Sequence, residues 1–133
     1  MKMYRIKDWG LHYEKAESRR VKTMAWLPMP TRHDGAGFRR VAAHERGPEL
    51  FAAWVLIVEV AAKMPTRGHL VKDGKPLTVK ALHSRTGFAE AIFVLAFKVL
   101  TGPEIGRLEV INEDTGEIVE IEEWSPAIVG YTG

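Results

Sequence analysis

The fold is decided by residues 68–122, which read GHLVKDGKPLTVKALHSRTGFAEAIFVLAFKVLTGPEIGRLEVINEDTGEIVEIE. Short strand-forming runs alternate there with helix-forming runs and turn residues. The predicted elements are a strand at Gly68–Val71, a hydroxyl-capped helix at Thr78–His83, a turn at Thr86-Gly87, a second helix at Ala89–Leu100, and a hairpin pairing Leu108–Ile111 with Ile118–Ile121. This order is typical of a winged helix-turn-helix, which most often binds nucleic acid and is also used to bind protein. The expected fold class is therefore α+β, a winged helix-turn-helix with an N-terminal extension.

The stretch that precedes this unit predicts a central core helix. Residues 50–63 are apolar at almost every position, and a helix that is apolar all round is buried on most sides. Pro48 suits the first turn of that helix, where its missing amide costs nothing. We therefore expect Trp54, Ile57 and Val58 in the core. The expected organisation is a basic extension packed on the core at residues 1–48, the winged-helix core at 49–124 and a flexible tail at 125–133.

Length and composition bound the class of protein. A chain of 133 residues is about one domain, and it has no cysteine, which excludes disulfides and thiolate metal sites. The N-terminus lacks the apolar segment of a signal peptide, and the longest apolar run is too short to span a bilayer. These features predict a soluble, cytoplasmic protein with no membrane partner.

The charge is distributed unevenly along the chain. Residues 1–48 carry 11 Lys/Arg against 5 Asp/Glu, and residues 49–103 carry 7 against 4. Residues 104–133 carry 1 against 8. The basic part can attract phosphates by counterion release, while the acidic part repels them or competes with them.

Several basic residues are the candidate contacts to DNA. Adjacent arginines on both sides of a loop are an electrostatic signal for a polyanion partner. The predicted DNA-binding residues are Arg19, Arg20, Lys22, Arg32, Arg39, Arg40, Lys80 and Arg85. The aromatic residues interleaved with the N-terminal cations are Tyr4, Trp9, Tyr13, Trp26 and Phe38. Such aromatics either stack on the bases of a single strand or belong to the core, and the sequence leaves both interpretations open.

Other features argue against base-specific recognition and against catalysis. A helix that reads the major groove needs Arg, Asn, Gln or Lys near its N-terminal end, whereas residues 89–91 are Ala-Glu-Ala. The predicted wing loop, residues 112–116, is acidic rather than basic. The histidines lack metal-ligand spacing, and the serines lack a nucleophile-elbow context. We therefore predict no catalytic residue, no metal site and no cofactor.

At residues 4–111 the chain resembles the N-terminal domain of phage and prophage replication proteins of the replisome-organiser or helicase-loader type. The resemblance depends on loose Trp, Pro and Gly landmarks, which are Trp9…Tyr13-Glu14, Trp26-Leu27-Pro28-Met29-Pro30, His33-Asp34-Gly35, Trp54, Gly68-His69-Leu70, Pro76-Leu77-Thr78, Thr86-Gly87-Phe88 and Ile105-Gly106-Arg107-Leu108-Glu109. It implies a winged-helix-like domain that binds DNA near a replication origin. In that family a C-terminal part that engages a helicase usually follows.

The expected function is that of a non-catalytic DNA-binding protein of phage replication type, whose partners are DNA and replication proteins. The pattern does not distinguish duplex from single-stranded DNA. The alternative is a winged-helix adaptor that binds another protein through the apolar second helix and the acidic hairpin, without binding DNA.

Overall fold

The computed structural model describes residues 2–14, 24, 36–102, 105–112, 114–121 and 124–131. Within them lie five α-helices, a C-terminal 3-10 helix and two small antiparallel sheets. In chain order the elements are β1 (Lys2–Ile6), α1 (Trp9–His12), α2 (Ala36–Ala43), α3 (Gly47–Ala62), β2 (Val71–Lys72), β3 (Lys75–Pro76), α4 (Val79–Thr86), α5 (Glu90–Leu100), β4 (Leu108–Asn112) and the 3-10 helix Pro126–Val129. The architecture is mixed α+β.

The larger sheet is built on a strand near the N-terminus. β1 pairs antiparallel with β4, with Tyr4 opposite Val110. Single bridges extend this sheet beyond β1 to His69 and beyond β4 to Ile118. The ring of Tyr4 packs against Phe97 of α5, with ring centroids 4.7 Å apart. One face of the sheet therefore closes the core against the helices.

Helix α3 is the central element of the core, as the sequence predicts. Ile57 and Val58 have no exposed surface, and Trp54 is buried as well. The helix begins at Gly47, where α2 approaches closely: a Cβ on this glycine would lie only 2.7 Å from the carbonyl oxygen of Val41. A side chain there would separate α2 from α3, so the glycine allows the two helices to pack together.

The two helices predicted on either side of Thr86-Gly87 are present as α4 and α5. The Oγ1 of Thr78 accepts a hydrogen bond from the amide of Ala81 at 3.2 Å, which caps α4. Gly87 ends α4 with a φ of +79°, a left-handed conformation that glycine adopts without strain. α4 packs against α5, and both helices pack against α3. The hydroxyl cap and the turn residue are therefore confirmed.

The predicted hairpin differs from the structure. We expected Ile118–Ile121 to form a full strand beside β4, but the pairing is limited to one bridge between Ile111 and Ile118 and a few backbone hydrogen bonds. The amide of Val119, for example, donates to the carbonyl of Val110 at 2.8 Å. The partner that pairs with β4 over its whole length is β1, which the sequence did not reveal as a strand.

Part of the segment expected as a flexible tail, residues 126–129, forms a 3-10 helix. Ser125 caps the 3-10 helix by accepting a hydrogen bond from the amide of Ala127 at 3.3 Å. Val129 is buried, and the 3-10 helix packs against α5. Gly130 approaches Thr78 so closely that a Cβ on it would lie 2.8 Å from the threonine Cγ2. Residues 126–130 therefore pack on α5 and on the start of α4.

Candidate nucleic-acid interface

Half of the predicted DNA-binding residues lie outside the described residues. These are Arg19, Arg20, Lys22 and Arg32, together with the aromatic Trp26. The others lie on two helices, and all of them are exposed: Arg39 and Arg40 on α2, and Lys80 and Arg85 on α4. Among the described residues, the candidate interface is therefore limited to these two helices.

Helix α2 presents its cations on the outside because its apolar side faces α3. Val41 is buried against the core, while Arg39 and Arg40 are exposed. On the same helix the half-buried ring of Phe38 meets the ring of Phe51 edge to face, with centroids 5.8 Å apart and an interplanar angle of 86°. Phe51 is 41% exposed although it belongs to the core helix. α2 and the outer face of α3 thus combine two guanidinium groups with an accessible aromatic pair.

Most of the other aromatics in the basic region belong to the core. Tyr4, Trp9 and Tyr13 are all buried. The rings of Trp9 and Tyr13 stack on each other with centroids 4.9 Å apart. These three residues are therefore unavailable for stacking on bases, and Phe38 is the predicted aromatic that remains accessible among the described residues. Sequence reasoning missed Phe51, because a phenylalanine in a continuous apolar helix gives no signal that it faces outward.

Helix α4 contributes a weaker surface. Lys80 and Arg85 are five positions apart, so they lie about 140° apart around the helix and do not form one stripe. Between them the ring Nδ1 of His83 lies 2.9 Å from the carbonyl oxygen of Phe88, which ties α4 to the turn before α5. α4 therefore supplies two separate positive charges rather than a continuous groove.

The helix that would enter the major groove does not carry base-reading side chains. α5 begins after Ala89 without a side-chain cap, and its first turn contains Glu90, Ala91 and Ile92. Its inward residues, among them Phe93 and Phe97, are fully buried. The first turn of α5 therefore offers no Arg, Asn, Gln or Lys side chain to read base edges.

The loop after β4 carries negative charge at the surface. Asp114, Glu117 and Glu120 are all exposed. Gly116 turns the loop with a φ of +73°. An acidic, exposed loop does not approach phosphates favourably.

Among the described residues, no helix is long and apolar enough to cross a membrane. The same residues contain no group of three His, Asp or Glu side chains arranged to hold a metal ion.

No protein-family model, curated protein or solved structure matches this chain. Its function is therefore inferred from its own residues.

Proposed function

We propose that the chain is a non-catalytic DNA-binding protein that holds single-stranded DNA through phosphate contacts on α2 and α4 and through stacking at the Phe38–Phe51 pair. The observation that supports this most strongly is the arrangement on α2: Arg39 and Arg40 are exposed on the same short helix that carries Phe38 of an accessible aromatic pair. Positive charge with neighbouring aromatics is the pattern by which proteins bind single strands without sequence preference.

Single-stranded DNA is favoured over duplex by two features. An edge-to-face phenylalanine pair offers a ring on which the flat face of an unstacked base can pack. The faces of the bases in a duplex are covered by the neighbouring base pairs, so they cannot pack on the ring in this way. In addition, α5 lacks the side chains that would read a major groove. Specific recognition of a duplex sequence is therefore not part of the proposal.

The order of α3, α4, α5 and β4, with bridges to His69 and Ile118, supports a winged-helix architecture for this activity. The resemblance of residues 4–111 to phage replication proteins supports a role in DNA replication, with replication proteins as further partners in the cytoplasm. The architecture and the biological process are both part of the proposal.

The test is a pair of double substitutions that remove equal charge. Arg39→Ala with Arg40→Ala removes the α2 cations, whereas Lys72→Ala with Lys75→Ala removes two exposed lysines from the small β2–β3 hairpin. Fluorescence anisotropy of labelled single strands of several sequences, titrated with salt, measures the affinity. The α2 variant should weaken binding equally for all sequences and reduce the slope of log K against log salt by roughly 0.7 per lost phosphate contact. The hairpin variant should bind like the wild type.

An α2 variant that binds as tightly as the wild type at low salt would contradict the proposal. A companion variant, Phe51→Ala, separates stacking from charge. It should weaken single-strand binding about fivefold or more without changing the salt slope, since stacking contributes roughly 1–3 kcal/mol per base.

A second candidate function is supported by the acidic loop. Ile118 is 62% exposed between the exposed acids Glu117 and Glu120. An exposed apolar side chain flanked by carboxylates suits a basic protein partner better than DNA. In that alternative the chain is an adaptor that docks a partner on this loop and has negligible affinity for DNA.

A further inference from the structure

We propose that a pocket beside Arg107 binds a phosphate group. The pocket has a volume of about 150 Å³ and lies where the end of β1, helix α1, helix α3 and the turn before β4 meet. The side chains that matter for recognition are Lys7, Asp8, His12, Tyr13, Trp54 and Arg107. The volume is roughly five times the ~30 Å³ that one water molecule occupies in the liquid, so a phosphate group fits with room for bridging water.

The charge of the lining suits one small anion. Lys7 and Arg107 are cationic, Asp8 is the one carboxylate of the lining, and the imidazole of His12 adds a further hydrogen-bonding group. The amide of Lys7 donates to the carbonyl oxygen of Arg107 at 3.1 Å, which holds the two cation-bearing residues side by side. Such a pair suits a phosphate group, because a guanidinium donates two parallel hydrogen bonds and an ammonium carries a concentrated positive charge.

Tyr13, which also lines the pocket, adds a hydroxyl donor that stays protonated. Tyr13 is buried, and burial raises the pKa of its phenol to about 12, although the positive charge of Arg107 acts in the opposite direction. The phenol is therefore neutral near pH 7 and able to donate. The backbone amides of the adjoining turn are already used, because Gly106 donates to Gly102 at 2.8 Å and Arg107 donates to Leu100 at 3.0 Å. Recognition of an anion on this side of the pocket must therefore come from side chains.

The side chain of Glu14 stabilises the part of the pocket that His12 and Tyr13 form. Glu14 accepts a hydrogen bond from the indole Nε1 of Trp9 at 2.6 Å. Its Oε2 also lies 3.1 Å from Nε of Arg67, and both partners of this ion pair are largely buried. The four-residue helix α1 is thereby anchored, so the pocket is preformed.

The pocket adjoins the proposed DNA surface. A Cβ on Gly37, in the first turn of α2, would lie 3.8 Å from both Nε and Nη2 of Arg107. Arg40 is three residues further on, on the same side of α2 and about 5 Å along its axis. A DNA strand held on α2 can therefore place its terminal phosphate in the pocket. This source of phosphate depends on the proposed function, whereas binding of free phosphate does not.

The experiment compares two probes on the full chain. One probe is a single-stranded oligonucleotide with either a 5′-phosphate or a 5′-hydroxyl, measured by anisotropy. The other is inorganic phosphate at constant ionic strength, measured by the amide NMR shifts of residues 7, 8, 12, 106 and 107. The variants are Arg107→Gln and Lys7→Gln, with Lys72→Gln as a control that loses the same charge on the distant hairpin. Thermal unfolding shows which variants are folded, and two independent pocket variants keep the test decisive if one of them fails to fold.

A terminal phosphate in the pocket should make the wild type prefer the 5′-phosphorylated strand about tenfold, the effect of one charge-assisted hydrogen bond. Arg107→Gln and Lys7→Gln should lose that preference, and Lys72→Gln should keep it. Saturable shifts with inorganic phosphate, but no preference between strands, would identify free phosphate as the ligand. If neither probe responds, the phosphate site is overturned even where the strand still binds through α2. If inorganic phosphate binds and no oligonucleotide does, the site stands and the proposed DNA-binding function fails.

Discussion

A single residue, Gly68, lies where three elements cross. Its amide donates to the carbonyl oxygen of Ala61 at 3.1 Å, at the end of α3, and its carbonyl accepts from the amide of Ile6 at 2.8 Å, at the end of β1. Its φ of +90° is a backbone conformation that residues with a side chain rarely adopt. A Cβ at this position would lie 2.6 Å from Cγ of Trp9, so the indole occupies the space that a side chain would need.

Gly68→Ala should therefore lower the free energy of unfolding by about 3 kcal/mol. The left-handed backbone accounts for roughly 1–2 kcal/mol, and overpacking against Trp9 for a further ~1–3 kcal/mol. Gly74→Ala is the matched control, because Gly74 also has a positive φ but a Cβ on it would meet no atom within 4 Å. The control should lose only the backbone contribution. Urea unfolding of both variants measures the difference, and equal losses would show that Trp9 moves away without cost.

Among the elements, α3, α4 and α5 were predictable because their signals are local. The apolar run of α3, the hydroxyl of Thr78 and the glycine at position 87 each specify a helix, a start or an end within a few residues. β1 was not predictable in the same way. Its residues form a short mixed run near the N-terminus, and what makes them a strand is pairing with β4, more than 100 residues away in the chain. Tertiary context of this kind cannot be deduced from a short segment.

One strand pair that was missed did carry a local signal. Asp73 and Gly74, both with positive φ, form the two-residue turn between β2 and β3. An Asp-Gly pair between two short strands is a strong hairpin indicator because both central positions of this turn need a left-handed backbone. The 3-10 helix after Ser125 gave a weaker signal, since its stability depends on burying Val129 at α5.

Val129→Ala should test whether this C-terminal element is docked. Val129 is 2% exposed, and its truncation should lower the free energy of unfolding by about 1–2 kcal/mol. The neighbouring Ile128→Ala is the control, because Ile128 is 36% exposed and should cost less although more atoms are removed. Chemical denaturation followed by tryptophan fluorescence compares the two variants. If Ile128→Ala lowers the free energy of unfolding more than Val129→Ala does, or if neither variant lowers it, the segment is not docked and the prediction of a flexible tail is favoured.

For the whole molecule, the sequence predicted which cationic residues are exposed better than it predicted which residues line the pocket. Arg39, Arg40, Lys80 and Arg85 are exposed as expected, because long cationic side chains are rarely buried without a partner. The composition of the pocket was not predictable, since His12 and Arg107 come together only when β1 pairs with β4. Nor could the sequence separate core aromatics from accessible ones, because both occur in the same basic segment.

The acidic loop gives a test that separates the two proposed functions. The substitutions Asp114→Asn and Glu117→Gln remove two exposed negative charges and keep the shape of the side chains. β4 begins directly after Arg107, which lies beside α2, and ends at Asn112, so the loop lies roughly 17 Å from that edge of the proposed DNA surface at ~3.3 Å per residue. This distance is within the Debye length of about 30 Å at 0.01 M salt and beyond the length of about 8 Å at 0.15 M.

If the chain binds DNA, the loop variant should therefore bind single strands more tightly at 0.01 M salt and no more tightly than the wild type at 0.15 M. The control, Glu59→Gln with Asp73→Asn, removes the same charge from other exposed positions. If the chain is an adaptor, DNA affinity stays negligible in every variant, and only the loop variant loses binding to a lysine-rich peptide. Salt-titrated anisotropy with both ligands distinguishes these outcomes. A wild-type DNA affinity that is weak and independent of salt would exclude the DNA-binding function, because contacts to phosphates cannot be insensitive to counterions.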